Sequence, residues 1–154
     1  MKISAHLEKL RRQEAVLARL DKLDDFELWI WVAMSAGTNA LNAALHAAGV
    51  TSDRDCYPVR PNKYMEPDAA PGTWKQVVGP LGDLLHVDVP KLEIPVSPVL
   101  NRALEAMRVI EIYRDPCVRG THPITPDVVQ ACDTAFRDCV AATDDVLRAA
   151  GRAR

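Results

Sequence analysis

Apolar residues recur at spacings of three and four over four stretches of the chain, and each such stretch predicts a helix with one face turned inward. From Ile3 to Leu23 that face runs through Ile3, Leu7, Leu10, Leu17, Leu20 and Leu23, with Lys9, Arg12, Arg19 and Lys22 opposite. Asp21 to Asp25 breaks the pattern. Asp24, with Glu27 three residues on, suits the start of a second helix. This second helix is expected from about Asp25 to Ala48, closed by Gly49 in the left-handed conformation. Its first half, Phe26 to Met34, is apolar almost all the way round and includes Trp29 and Trp31. Such a segment needs cover on several sides, which points to a subunit interface and a homodimer.

The second half of that helix differs. Ser35, Asn39, Asn42 and His46 fall at spacings of four, three and four, so they form an uncharged polar stripe on one face. Two readings of the stripe are open. It is either a solvated face beside a core of Ala40, Leu41, Ala44 and Leu45, or a polar-lined groove facing the loop after the third helix.

Beyond Val50 the helical period fades. Seven of the eleven prolines lie between Pro58 and Pro95, and proline both removes a backbone donor and restricts the residue before it. One short helix is expected here, started by Pro71-Gly-Thr73, with Trp74, Val77, Val78 and Leu81 as its apolar face and a break at Gly79-Pro80 before Leu84 and Leu85. The period returns at Ser97-Pro98, a capping serine followed by proline at the first helical position. This third helix carries Val99, Ala103, Met107 and Ile110 inward and is expected to end at Arg114-Asp115, before Pro116. Thr125-Pro126 repeats the start signal for a fourth helix, which runs to Gly151 with Val128, Cys132, Ala135, Phe136, Cys139 and Val146 inward. The fold class is therefore all-α. We expect one helical domain over 1–154, a four-helix bundle with a proline-rich insertion, 50–97, packed on it between the second and third helices.

Composition narrows the function. At 154 residues the chain holds one domain with a real core. A formal net charge of -2 argues against a protein that coats duplex nucleic acid. No apolar run approaches the roughly 20 residues needed to span a bilayer, and Met1 to Asp25 has no signal-peptide core. Cys56, Cys117, Cys132 and Cys139 contain no C-x-x-C pair, a pattern of reduced thiols in a cytoplasm. No cofactor and no metal is expected, since His86-Val-Asp88 is the only local pair of ligand types.

The chemistry concentrates between the third and fourth helices, where Arg114, Asp115, Pro116, Arg119, Gly120, His122 and Pro123 crowd together. This segment resembles the signature of HEPN domains, small helical bundles that often pair as dimers. In that family a helix ends in Arg, commonly followed by a polar residue, with four to six residues before a His. Asp115 takes the polar position here, and Arg119 stands where the histidine commonly falls. The family's nucleases use the His to move protons and the Arg to steady phosphate, without a metal. Arg119 stays protonated and cannot replace that His, and His122 follows Arg114 with seven residues between them. The resemblance therefore implies a non-catalytic binding or interaction module. Arg114 and Arg119 would offer planar forks to a nucleotide or RNA phosphate, beside Asn39, Asn42 and His46. The alternatives are a metal-independent ribonuclease using Arg114 and His122, and a structural subunit of a partner protein with no ligand.

Overall fold

The computed structural model describes residues 1–53, 56–60, 63–78, 83 and 95–152. The protein is mostly helical. Its four helices are α1 (Ile3–Leu17), α2 (Phe26–Ala47), α3 (Pro98–Val118) and α4 (Pro126–Ala149). Between α2 and α3 lie β1 (Tyr57–Arg60), β2 (Lys63–Pro67) and β3 (Trp74–Val78), an antiparallel sheet in the order β1-β2-β3.

The helix starts and stops follow local chemistry. Ser97 Oγ accepts from the Leu100 amide at 3.2 Å, and Thr125 Oγ1 accepts from the Val128 amide at 3.3 Å, each with proline in the first helical turn. Gly49 ends α2 at φ 70° and Gly151 follows α4 at φ 68°, both in the region a side chain disfavours.

Four expectations need correction. The first helix stops at Leu17, not Leu23, because Asp21 organises a turn. Its Oδ1 accepts from the amides of Leu23 (2.8 Å) and Asp24 (3.0 Å), offering the backbone an alternative to the helical ladder. The residue that caps α2 is then Asp25, and its carboxylate bonds back to the Asp21 amide rather than to the helix. The third helix runs through Pro116 to Val118. Pro116 leaves the carbonyl of Ile112 without its helical donor, and Ile112 is exposed, so water can serve that carbonyl at modest cost. Finally, Trp74–Val78 is a strand, not a helix. It pairs with β2 from Lys63↔Val78 to Pro67↔Trp74, and Glu66 faces Lys75 across the ladder. Long-range pairing decides the conformation there. Gly79-Pro80, Leu84, Leu85 and the His86-Val-Asp88 pair lie outside the described residues.

The core is organised around α2, which packs against α1, α3 and α4. Ala33, Ala36, Gly37, Ala40, Ala43 and Ala44 are all buried on it, and their small size lets three helices approach closely. Phe26, Trp29, Ile30, Met34, Leu41 and Leu45 fill the space between them, meeting Leu100, Leu104, Met107 and Ile110 of α3 and Cys132, Phe136 and Cys139 of α4. The all-round apolar stretch of α2 is not wholly covered, since Leu28 stays exposed. All four cysteines are buried and unpaired. Burial pushes the thiols of Cys132 and Cys139 up to about 12, with Cys117 adding to the effect at Cys132. No described helix is long and apolar enough to cross a membrane.

Candidate functional site

Asn39, Asn42 and His46 of the polar stripe on α2 are buried, Ser35 is half-buried, and the stripe meets α1. Gln13 of α1 donates to Ser35 Oγ at 2.6 Å, and its Oε1 accepts from Asn39 Nδ2 at 3.1 Å. Asn39 Nδ2 also donates to the carbonyl of Ser35 at 2.8 Å. With its amino group committed to two acceptors, Asn39 must turn its carbonyl oxygen toward His6, whose Nδ1 lies 2.9 Å away. His6 therefore carries a proton on Nδ1. Asn42 is buried on the same face.

The stripe ends in a cluster. His46 Nε2 lies 2.8 Å from Asp83 Oδ1, and His6 Nε2 lies 3.1 Å from the same oxygen. The far nitrogen of His46, Nδ1, meets Thr51 Oγ1 at 2.6 Å. The amino group of Met1 reaches both Asp83 oxygens at 2.7 Å and the Cys56 carbonyl at 2.8 Å. His6, His46, Thr51 and Asp83 are all buried. Burial acts to raise the Asp83 carboxyl, but hydrogen bonds from His46, His6 and the Met1 amino group, with the His6 charge, outweigh it. The carboxyl is held well below the usual carboxylate range, so Asp83 is an anion in the fold.

The second group of polar residues gathers at the C-terminal end of α3. Arg114 is buried, its guanidinium 5.8 Å from the centre of the Trp31 ring and 3.4 Å from Glu111. Its Nε and Nη2 donate to the two oxygens of Asp115 at 3.0 and 3.3 Å. Arg119 is exposed and brings its Nε within 3.7 Å of Asp115 Oδ1. Gly120 turns the chain out of the helix so tightly that a Cβ there would stand 2.7 Å from the Pro116 carbonyl oxygen. The turn delivers His122, exposed, with its ring 6.4 Å from that of Tyr113.

The structure thus brings Arg114 and Arg119 together on one carboxylate, and brings Asn39 and His46 together with α1 and Asp83. The contacts of the arginines run to Trp31, Glu111 and Asp115, and those of the stripe run to α1, Thr51 and Asp83. They form two separate polar groups. Sequence reasoning missed His6 and Asp83, which are 77 residues apart and share no local pattern. The one available signal was an unpaired histidine on the inner face of the first helix, between Ile3 and Leu7.

No protein family, curated protein or solved structure matches the chain.

Proposed function

We propose that the protein is a non-catalytic, HEPN-like binding module that recognises a phosphate group of a nucleotide or RNA at the end of α3. Its fold, in this reading, is a four-helix bundle with residues 50–97 inserted between the second and third helices. The observation that carries the reading is the convergence of Arg114 and Arg119 on the exposed carboxylate of Asp115. A carboxylate gripped by two guanidinium groups occupies the position that a phosphate oxygen would take. Asp115 can swing into solvent when a stronger anion arrives, while Glu111 and Trp31 keep Arg114 in place. The exposed apolar side chains Leu28 on α2 and Ile112 on α3 support a homodimer in the same reading.

Trp31 under Arg114 provides the assay. Titration with pyrophosphate and with a 5′-phosphorylated RNA oligonucleotide, in chelator, is expected to change tryptophan fluorescence saturably. Arg119→Ala should weaken binding about tenfold, the scale of one lost charge-assisted contact. Asp115→Asn should strengthen it by removing the competing anion. Fluorescence that responds to neither ligand, or responds equally in Arg119→Ala, overturns the proposal. RNA cleavage that disappears in His122→Ala would replace it with the ribonuclease reading.

A further inference from the structure

The cluster at the start of α1 and the end of α2 uses none of the residues just discussed. We propose that His6 Nε2, His46 Nε2 and the Asp83 carboxylate form a binding site for a divalent first-row transition-metal ion.

Geometry comes first. The three donor groups come from α1, from α2 and from the segment after the sheet, and all their ligand atoms lie within 4.8 Å of one another. First-row ions bind imidazole nitrogen and carboxylate oxygen at about 2.0–2.2 Å, which sets neighbouring donor atoms about 3 Å apart. The two nitrogen-to-oxygen separations, 2.8 and 3.1 Å, fall on that scale.

The hydrogen-bond assignment supplies the second argument. Asn39 compels a proton on His6 Nδ1, so a neutral His6 presents the lone pair of Nε2 to the Asp83 anion. Two lone pairs facing each other in a buried space repel, and a cation must stand between them. A proton on Nε2 meets that need in part. It then crowds the Nε2 donors of both His6 and His46 onto the single oxygen Oδ1, beside the Met1 amino group, which spans both carboxylate oxygens. A metal ion meets it more fully, taking both nitrogens and the carboxylate at once.

The surroundings are a third feature. Metal-bound histidines fix their free ring nitrogen on a polar partner, which sets the tautomer and the ring plane. Both do so here. His6 holds Asn39, itself braced by Gln13 and Ser35, and His46 holds Thr51 at 2.6 Å. A mixed set of two imidazoles and one carboxylate favours zinc, iron(II), cobalt or manganese over magnesium or calcium, which prefer oxygen throughout. Three protein ligands also leave room in the ion's coordination sphere for a further group.

The test uses the full chain stripped with chelator and titrated calorimetrically with Zn2+ and with Co2+. One ion per chain is expected, with visible Co2+ absorption bands. Asp83→Asn and His46→Gln, each checked for native helicity by circular dichroism, should bind at least tenfold more weakly. A measurement on the unaltered protein guards against variants that do not fold. Zn2+ should shift the imidazole resonances of two of the four histidines and leave the other two in place. Failure of the unaltered protein to take up either ion at micromolar concentration overturns the proposal. So does uptake that the folded variants leave unchanged, or that shifts a different pair of histidines. The phosphate proposal rests on other residues, so either can fail alone.

Discussion

The thioether of Met107 occupies the space that a side chain on Gly37 would need, so α2 and α3 touch there through backbone and sulfur. On the same residue, the Gly37 carbonyl accepts from Cys139 Sγ of α4 at 3.7 Å. Gly37 is therefore a point at which three helices meet.

Gly37→Ala is expected to destabilise the protein. The added methyl forces Met107 out of its rotamer inside a packed core, which costs about 1–3 kcal/mol despite the better helix propensity of alanine. Chemical denaturation will measure the loss. Shortening the neighbour in the same chain, with Met107→Ala, should make the pair of substitutions less costly than the sum of the two alone.

Thr143 offers a change in the opposite direction. It is fully buried on α4, and its hydroxyl oxygen has no hydrogen-bond partner among the described residues. Thr143→Val keeps the shape and removes the unpaired hydroxyl, so stability should rise by about 1 kcal/mol. A lower midpoint in urea would mean that the hydroxyl has a partner after all.

Acid should attack the fold at Asp83. Its carboxyl is held below the ordinary value in the fold, so its contribution is present above the unfolded value, about 3.9, and is lost as pH falls below that toward the folded value. Asp83→Asn leaves the histidines and the Met1 amino group facing a neutral amide. It should cost about 3 kcal/mol at neutral pH, the scale of removing one partner of a buried ion pair. The variant should also lose less stability than the parent between pH 5 and pH 2. Thermal midpoints of both proteins across that range decide the matter, and parallel curves would remove Asp83 from the acid response.

Those residues also show what could be read in advance. Helix starts at Ser97-Pro98 and Thr125-Pro126, and the glycine stops at Gly49 and Gly151, depend on a few adjacent residues and were legible. The end of α3 was not, because a proline in a last turn costs a single hydrogen bond when the carbonyl it strands is exposed. Trp74–Val78 carried an apolar spacing compatible with a helix, and only the partner strand Lys63–Pro67 settles it as a strand. The arginines of the α3 corner stood out because they are close in sequence. The polar stripe on α2 was visible as a stripe, but which neighbour it faced was not. Asp83 and His6 meet across 77 residues, and no spacing rule reaches that far.

Asp83 Oδ1 is one atom, yet it fastens the chain at positions 1, 6 and 46 as well as its own. Whatever occupies that oxygen is registered at the first residue, on both helices at one end of the α1–α2 pairing, and in the strand-bearing segment between α2 and α3. A chemical event too small to alter the core can thus reset the spacing of elements that are remote from one another along the chain.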